Sequence, residues 1–345
     1  MSNTFGTVFK VTTFGESHAK AAGVVIDGCP AGYKVTESAI ESYIKKCAKF
    51  YSFSTARRED NKIEILSGVY RDYTTGSPIA VITRNRDTDS SGYLKLEGIA
   101  RPSHAEYAYY KKYGIYDPRG GGRASGRECI SRHIAAAVAD KLLELTDIKL
   151  SAALVELAGV KIGGKNKMSE AIKRVESLSG EKDSSGGVFE ITINGVPAGL
   201  GSPLFNKLSS QIGAYLFSIG GIKAVEIGAG AEIARMRGSA ANDSARYGKN
   251  GALRFLTNNS GGISGGISNG APIKVRAYVK PTPSIGKKQE TINFYKGRNC
   301  HIELSGRFDA NFTPRAMAAA VSMLKIMIAD NLLQIDLSKQ SNQLT

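Results

Sequence analysis

Apolar positions recur along this chain at two spacings, one helical and one extended. Ile40, Tyr43, Ile44 and Cys47 fall at i, i+3, i+4 and i+7, the stripe of an amphipathic helix, with Thr36 as its cap and Val35 and Ile40 as a hydrophobic staple. Ile130, Ile134, Val138, Leu142 and Leu145 predict a second helix. Ser202-Pro203 is a cap and first-turn proline for a third that buries Leu204, Leu208, Ile212 and Leu216, and Thr313-Pro314 repeats that signal before a long helix bearing Met317, Val321, Leu324 and Ile328. Strand-like runs fall between them: Val24-Val25-Ile26, then 63–70, 80–83, 152–162, 188–196 and 273–279. In the last, Ile273, Val275, Ala277 and Val279 alternate with Lys274, Arg276 and Tyr278. Strands and helices do not alternate regularly, so antiparallel α+β is preferred to a doubly wound sheet.

Residues 166–187 are polar and read as a helix plus a surface loop. Nothing repeats internally, so 1–337 is taken as one domain and 338–345 as a polar, frayed tail. Hydrophobic residues at 42% and charged residues at 22% of 345 describe a soluble globular chain. No apolar run approaches the roughly 20 residues of a membrane span, and no signal segment opens the chain. Cys29, Cys47, Cys129 and Cys300 are widely spaced without a CxxC, as expected of reduced thiols in a cytoplasmic protein that binds no metal. The formal charge of +15 calls for anionic partners. Nucleic acid is one class, yet neither stacked-aromatic RNA motifs nor zinc-finger spacing is present, and a phosphorylated small molecule satisfies the same charge.

Candidate chemistry gathers in three places. Residues 101–107, RPSHAEY, and 117–128, DPRGGGRASGRE, combine His104 with Arg101, Arg119, Arg123 and Arg127, a triple glycine and Ser125. Arginine holds phosphate or carboxylate with a planar fork of donors, and glycine lets backbone N–H groups approach an anion. A tight turn with a solvated basic face is the structural alternative. Near the N-terminus, Glu16, Ser17 and His18 follow a turn at Gly15, and histidine exchanges protons near neutral pH. His133, inside a predicted helix beside an alanine run, reads as structural. In the third place, the glycine-rich SGGISGGISNG leads into the strand that delivers Lys280 to Pro281, Thr282, Pro283 and Ser284, a cation and hydroxyls suited to phosphate. Those glycines could equally serve only a bulge and a hairpin.

GESHA, RRED with LSGVY, TTGSPIAV, RPSHAEY, GGGRASGRE, MRGSAAND, GGISGGISNG, KPTPSI and GRFD occur in an order and spacing that resemble the chorismate synthase family along nearly the whole chain. The resemblance implies a single-domain β-α-β sandwich with helices between antiparallel sheets, assembled as a homotetramer. It implies a carbon-oxygen lyase acting on phosphates, which converts 5-enolpyruvylshikimate 3-phosphate to chorismate by anti-1,4-elimination and requires reduced FMN without net redox change. By resemblance His18 lies beside the flavin ring, His104 assists the departing phosphate and Asp309 serves proton removal near flavin N5. FMN contacts are implied for Arg123, Ala124, Ser125, Ala240, Ala241, Gly265, Lys280, Pro281, Thr282, Pro283, Ser284 and Arg307, and substrate contacts for Lys46, Arg101 and Arg127. No added reductase segment is evident, so an external flavin reductase, rather than NADPH oxidation by this chain, is expected to supply reduced FMN.

The sequence also departs from the family pattern. Lys46 and Ser52 stand where arginines are usual, and Phe308 and Ala310 replace a histidine and a proline of the last motif. Ala19 replaces a glycine and Ala124 a serine. The three candidate catalytic residues survive these changes, which favours an active, divergent member. A non-catalytic flavin-binding or anion-binding paralogue is the alternative that Lys46, Ser52 and Phe308 motivate, and a basic RNA-binding protein is the one that charge alone motivates.

Overall fold

The computed structural model describes residues 3–48, 61–86, 91–164, 166–249, 251, 253–306 and 308–341, with the side chains of Ser91 and of 336–341 left aside. Arg307, Ser52 and the tail beyond 341 therefore lie outside the described residues.

Ten strands form two antiparallel five-stranded sheets. The first contains β1 (Thr4–Phe5), β2 (Lys10–Gly15), β3 (Ala21–Asp27), β4 (Ile63–Ile65) and β5 (Ile79–Arg84), ordered β1-β2-β3-β5-β4. The second contains β6 (Lys149–Leu157), β7 (Val160–Lys161), β8 (Gly187–Asn194), β9 (Ile222–Ile227) and β10 (Ile273–Val279), ordered β9-β10-β8-β6-β7. The helices are α1 (Glu37–Ala48), α2 (Glu106–Tyr113), α3 (Cys129–Leu143), α4 (Lys167–Gly180), α5 (Leu208–Phe217) and α6 (Thr313–Ser341). α3 packs on β3 of the first sheet, α6 on β6 and β8 of the second, and the two helices pack on each other. The result is the helix-filled β sandwich that the family resemblance implies.

Alternation explains the sheets. Ile273, Val275, Ala277 and Val279 of β10 face the helices while Lys274 and Arg276 face outward. Both sheets bury one face against helices that are apolar nearly all round, so most of α3, including Ala135 to Ala139, is buried. Residues 313–335 of α6 are long and apolar enough to span a membrane by composition, but 78% of an apolar 18-residue stretch within them is buried inside the sandwich.

Local signals set most boundaries. Thr36 Oγ1 accepts from the Ala39 amide at 3.1 Å, and Val35 and Ile40 are both buried, as the cap and staple predict. The α3 stripe stops at Leu142; Leu145 lies past the helix end and is exposed. The expected start of the third helix at Leu204 is displaced to Leu208. Leu204 has φ +62° and a 70% exposed side chain, which no helix can continue through. The Leu208 amide is instead held by the Gly266 carbonyl at 2.7 Å. The expected strand 152–162 is a hairpin, because Ala158 and Gly159 both turn to positive φ between β6 and β7. The expected strand 63–70 divides likewise: β4 pairs with β5, whereas Val69–Tyr70 pairs with Tyr73–Thr74.

Two buried polar features hold the layers in register. Asp330 of α6 accepts from the amides of Thr7, Val8 and Phe9 at 2.7 to 3.0 Å, fastening the last helix to the first sheet. Within the helical layer, His133 Nδ1 lies 2.8 Å from Ser322 Oγ, the Tyr43 hydroxyl lies 3.4 Å from the same oxygen, and Lys325 pairs with Asp140 at 2.6 Å. His133 is structural, as its alanine-rich setting suggests. Burial, helped by the Arg132 and Arg315 charges, pushes its pKa down to about 3.

Candidate active site

The arginine-rich loop enters α3 through two tight turns, Gly122–Ala124 and Gly126–Glu128, rather than through an early start of the helix. Gly120 and Gly122 adopt φ +69° and +52°, conformations that favour glycine. At Gly120 space is restricted as well: a Cβ there would lie 2.4 Å from His18 Cδ2 and 3.0 Å from Ser17 Oγ. The triple glycine thus lets the loop lie directly on the GESH segment at the end of β2.

Arg101 gathers the rest. It is 5% exposed, and its Nη2 donates to the Gly120 carbonyl at 3.1 Å and lies 3.2 Å from His104 Nδ1. Its Nε donates to Glu106 Oε1 at 2.6 Å, and its Nη2 makes a further short ion pair with the same oxygen. Its guanidinium carbon stands 5.2 Å from the ring centroid of Tyr93, whose ring also meets His18 edge-on with centroids 5.4 Å apart. His18 lies against Gly120 and Tyr93, and His104 against Arg101, so the two histidines, 86 positions apart in sequence, are joined through Arg101, which touches both Gly120 and Tyr93. Arg101 acts here as the tie between segments.

Other expected residues come in from the second sheet and α6. Lys280, just past β10, donates to the Ser103 carbonyl at 2.9 Å and so touches the residue before His104. Burial and the neighbouring Lys223 charge lower its pKa. The KPTPS turn is fastened by Ser184, whose hydroxyl donates to the Thr282 carbonyl at 2.7 Å, and Pro283 and Ser284 are half-buried within it. Asp309 is half-buried with Arg315 3.5 Å away, and Phe312 packs where a Cβ on Gly126 would lie. Phe312, three residues after Asp309, thus brings this segment against the far end of the loop whose near end carries Gly120.

Arg123 and Arg127 are both turned into the protein. Arg123 donates to Thr13 Oγ1 at 2.7 Å and to the Gly15 carbonyl at 3.3 Å, tying the loop to β2. Arg127 donates to Asn61 Oδ1 at 2.6 Å and to Asn85 Oδ1 at 3.2 Å. Ser125 Oγ accepts from the Arg127 amide at 3.2 Å, and Ala124 closes the first tight turn. Lys46 is exposed in the last turn of α1.

Three expected residues stand apart from this cluster. Ala240 and Ala241 form a surface turn whose carbonyls accept from Asn259 Nδ2 at 3.1 and 3.2 Å. Gly265 is the tip of the hairpin between Ile263–Ser264 and Ile267–Ser268, with φ +61° and open space around it. Both turns lie at the Ile273 end of β10, where Asn258 Nδ2 donates to the Pro272 carbonyl, whereas Lys280 follows its Val279 end. Seven residues of strand, about 23 Å, separate those ends.

Glu106 and Tyr93 are the neighbours that sequence reasoning passed over. Glu106 had a usable signal, since a carboxylate two positions after the histidine opens α2. Tyr93, in the short turn Ser91–Leu94, had none. Burial raises the Glu106 pKa, but its hydrogen bond to His104 and the Arg101 charge outweigh burial and hold it below the usual carboxylate range. Asp117 is also held low, first by its hydrogen bond to Arg119 and in smaller part by the His18 charge. Surface depressions of about 450 and 590 Å³ lie around residues 31–39 and 65–73; the first is lined also by Lys141 and Glu144. That is the C-terminal end of α3, roughly 22 Å of helix from the end that the glycine loop enters, and among the described residues no histidine lines it.

Comparison with known proteins agrees with the geometry. The family profile described as chorismate synthase matches residues 9–333. Chorismate synthase of Methanocella arvoryzae is 45% identical over 351 residues, covering 96% of this chain and 94% of that protein. Chorismate synthase of Archaeoglobus fulgidus is 42% identical over 358 residues, covering 98% and 99%. A crystal structure of chorismate synthase superposes with a TM-score of 0.74 at 27% identity, over 95% of this chain and 92% of that one. The histidine pair sits in a fold and a sequence that both point the same way, and the chain belongs to the chorismate synthase family.

Proposed function

We propose that this chain is a carbon-oxygen lyase that forms chorismate from 5-enolpyruvylshikimate 3-phosphate by anti-1,4-elimination of phosphate, with reduced FMN bound beside the substrate. The observation that carries this reading is the link from His104 through Arg101 to Gly120, on which His18 packs.

The residues present fit a phosphorylated flavin and its substrate. Ser17 Oγ, Glu106 Oε2 and Thr282 Oγ1 are buried around the three converging loops without hydrogen-bond partners, which is uncommon inside proteins and suits a polar ligand. Lys280 and the Thr282 hydroxyl supply a cation and a donor for phosphate, and Gly122, with open space where a Cβ would stand, admits a flat ring system close to the backbone. Reduced FMN, when bound, supplies electron density that helps expel phosphate and is restored as the ring hydrogen leaves.

The chain's own residues would orient both molecules and move protons. His104 would offset the charge gathering on the departing phosphate, and His18 would hold a proton beside the flavin ring. Asp309, with Arg315 alongside, would take up the proton released near flavin N5. Arg123 would act by fastening the glycine loop to β2.

Ala240, Ala241 and Gly265 lie about one strand length from Lys280, too far to share one flavin with it inside a single chain. A homotetramer in which one copy lends these turns to its neighbour reconciles the two groups. A cytoplasmic setting and an external flavin reductase complete the proposal; buried, unpaired Cys29, Cys47 and Cys129 suit a reducing compartment. The test is an anaerobic mixture of purified chain, 5-enolpyruvylshikimate 3-phosphate and chemically reduced FMN, followed by chorismate absorbance and phosphate release. FMN binding without turnover would identify a non-catalytic paralogue.

A further inference from the structure

We propose that Glu106 is the positioning residue that sets the working face of His104, binding Nδ1 so that Nε2 is the atom offered to the reactants. The inference rests on the reading that His104 assists phosphate departure, and it adds a residue that neither that reading nor the motif resemblance assigns.

His104 Nδ1 has two polar neighbours with opposite demands. Arg101 Nη2, at 3.2 Å from Nδ1 and 3.5 Å from Nε2, can only donate, so alone it would bind a lone pair on either nitrogen and leave the tautomer unchosen. Glu106 Oε1, at 2.9 Å, can only accept when ionised and binds the tautomer protonated on Nδ1. The carboxylate contact is shorter and joins an ionised acceptor to a polar N–H, the stronger kind of hydrogen bond.

Three further observations favour the carboxylate. Glu106 is 8% exposed and is held ionised by its surroundings. It opens α2, where free amides favour negative charge. It also occupies Arg101 Nε at 2.6 Å, so one oxygen fixes both the guanidinium and the imidazole. Its charge offsets that of Arg101, which would otherwise stand next to His104 and oppose a cationic ring. A second carboxylate oxygen, Oε2, stays buried without a partner, so the geometry is spent on Oε1.

The experiment reads the ring directly. With ¹⁵N-histidine labelling and His104→Asn for assignment, two-bond ¹⁵N–¹H spectra of the neutral ring should show the proton of wild-type His104 on Nδ1. A proton on Nε2 overturns the proposal, whatever any variant does. Glu106→Gln keeps the shape without the charge. It should move the tautomer population toward Nε2–H and lower kcat about 10- to 100-fold, the usual size of an orienting-partner effect, with KM for substrate little changed. Glu106→Asp, which keeps the charge, should recover part of the loss. In a His104→Ala background Glu106→Gln should lower turnover no further, because its effect passes through the ring. Multiplying losses would show that Glu106 only supports Arg101, and would overturn the proposal. A wild-type chain that makes no chorismate would defeat the proposed function, while the ring spectrum would still report on Glu106.

Discussion

His104 and His133 are both shielded from solvent, both hydrogen-bonded through Nδ1 and both close to an arginine, yet they sit in opposite chemical settings. His133 faces a neutral hydroxyl in a close-packed helical layer, and burial there keeps the ring uncharged. His104 faces a carboxylate at a junction of loops, with an arginine and a lysine-bearing turn beside it. An imidazole's role here is decided by whether its buried partner carries charge and whether the backbone around it leaves room for another molecule.

Substitutions can break that contrast from either side. The largest effect is expected from His104→Ala, which should lower kcat about 10²- to 10⁴-fold, the range of a lost general acid or charge stabiliser, while reduced-FMN affinity from fluorescence titration stays near wild type. Comparable turnover would make His104 as structural as His133. Asp309→Ala comes next, with about a hundredfold loss of kcat in the anaerobic assay; near-normal turnover removes Asp309 from the acid–base set. Lys280→Ala should weaken FMN about tenfold, as the loss of one charge-assisted contact would, and leave kcat at saturating flavin nearly unchanged.

On the other side of the comparison, His133→Leu should cost about 1–3 kcal/mol of stability by removing the shorter of the two hydrogen bonds at the Ser322 hydroxyl, read from urea unfolding, with turnover per folded molecule intact. The same residue gives a smaller, pH-dependent effect. An unfolded histidine binds a proton near 6.5 and the folded His133 only near 3, so the unfolded chain takes up that proton first as pH falls. Stability from this site is thus complete above about 6.5 and declines toward pH 3, and wild type should lose more stability than His133→Leu between pH 7 and pH 5. Equal losses would mean that His133 titrates normally.

Much of this was legible in the chain, for physical reasons that differ by element. The α1 cap and staple are local, so Thr36, Val35 and Ile40 announced them. β10 was read to its ends because it is buried on one face only and alternates cleanly. The start of α5 was misplaced because a positive φ at Leu204 leaves no mark in sequence, and the hold on Leu208 comes from a hairpin some sixty positions later. β2 and β9 were passed over, their short, threonine-rich or charge-interrupted runs gaining strand identity only from their partners. In the site, residue types were readable but directions were not. Arg123 was readable as a cation but its bonds to Thr13 and Gly15 were not, and Glu106, passed over in the sequence, stands 2.9 Å from His104 Nδ1.

The grip of Asp330 on the amides of Thr7, Val8 and Phe9 closes a loop of more than 320 positions. During translation, the first sheet must wait with those amides uncapped while more than 320 further residues are made, because their acceptor lies that far along the chain. Truncations that stop short of Asp330 should therefore yield chains that cannot settle their own N-terminal strands, however complete the rest of the sandwich is.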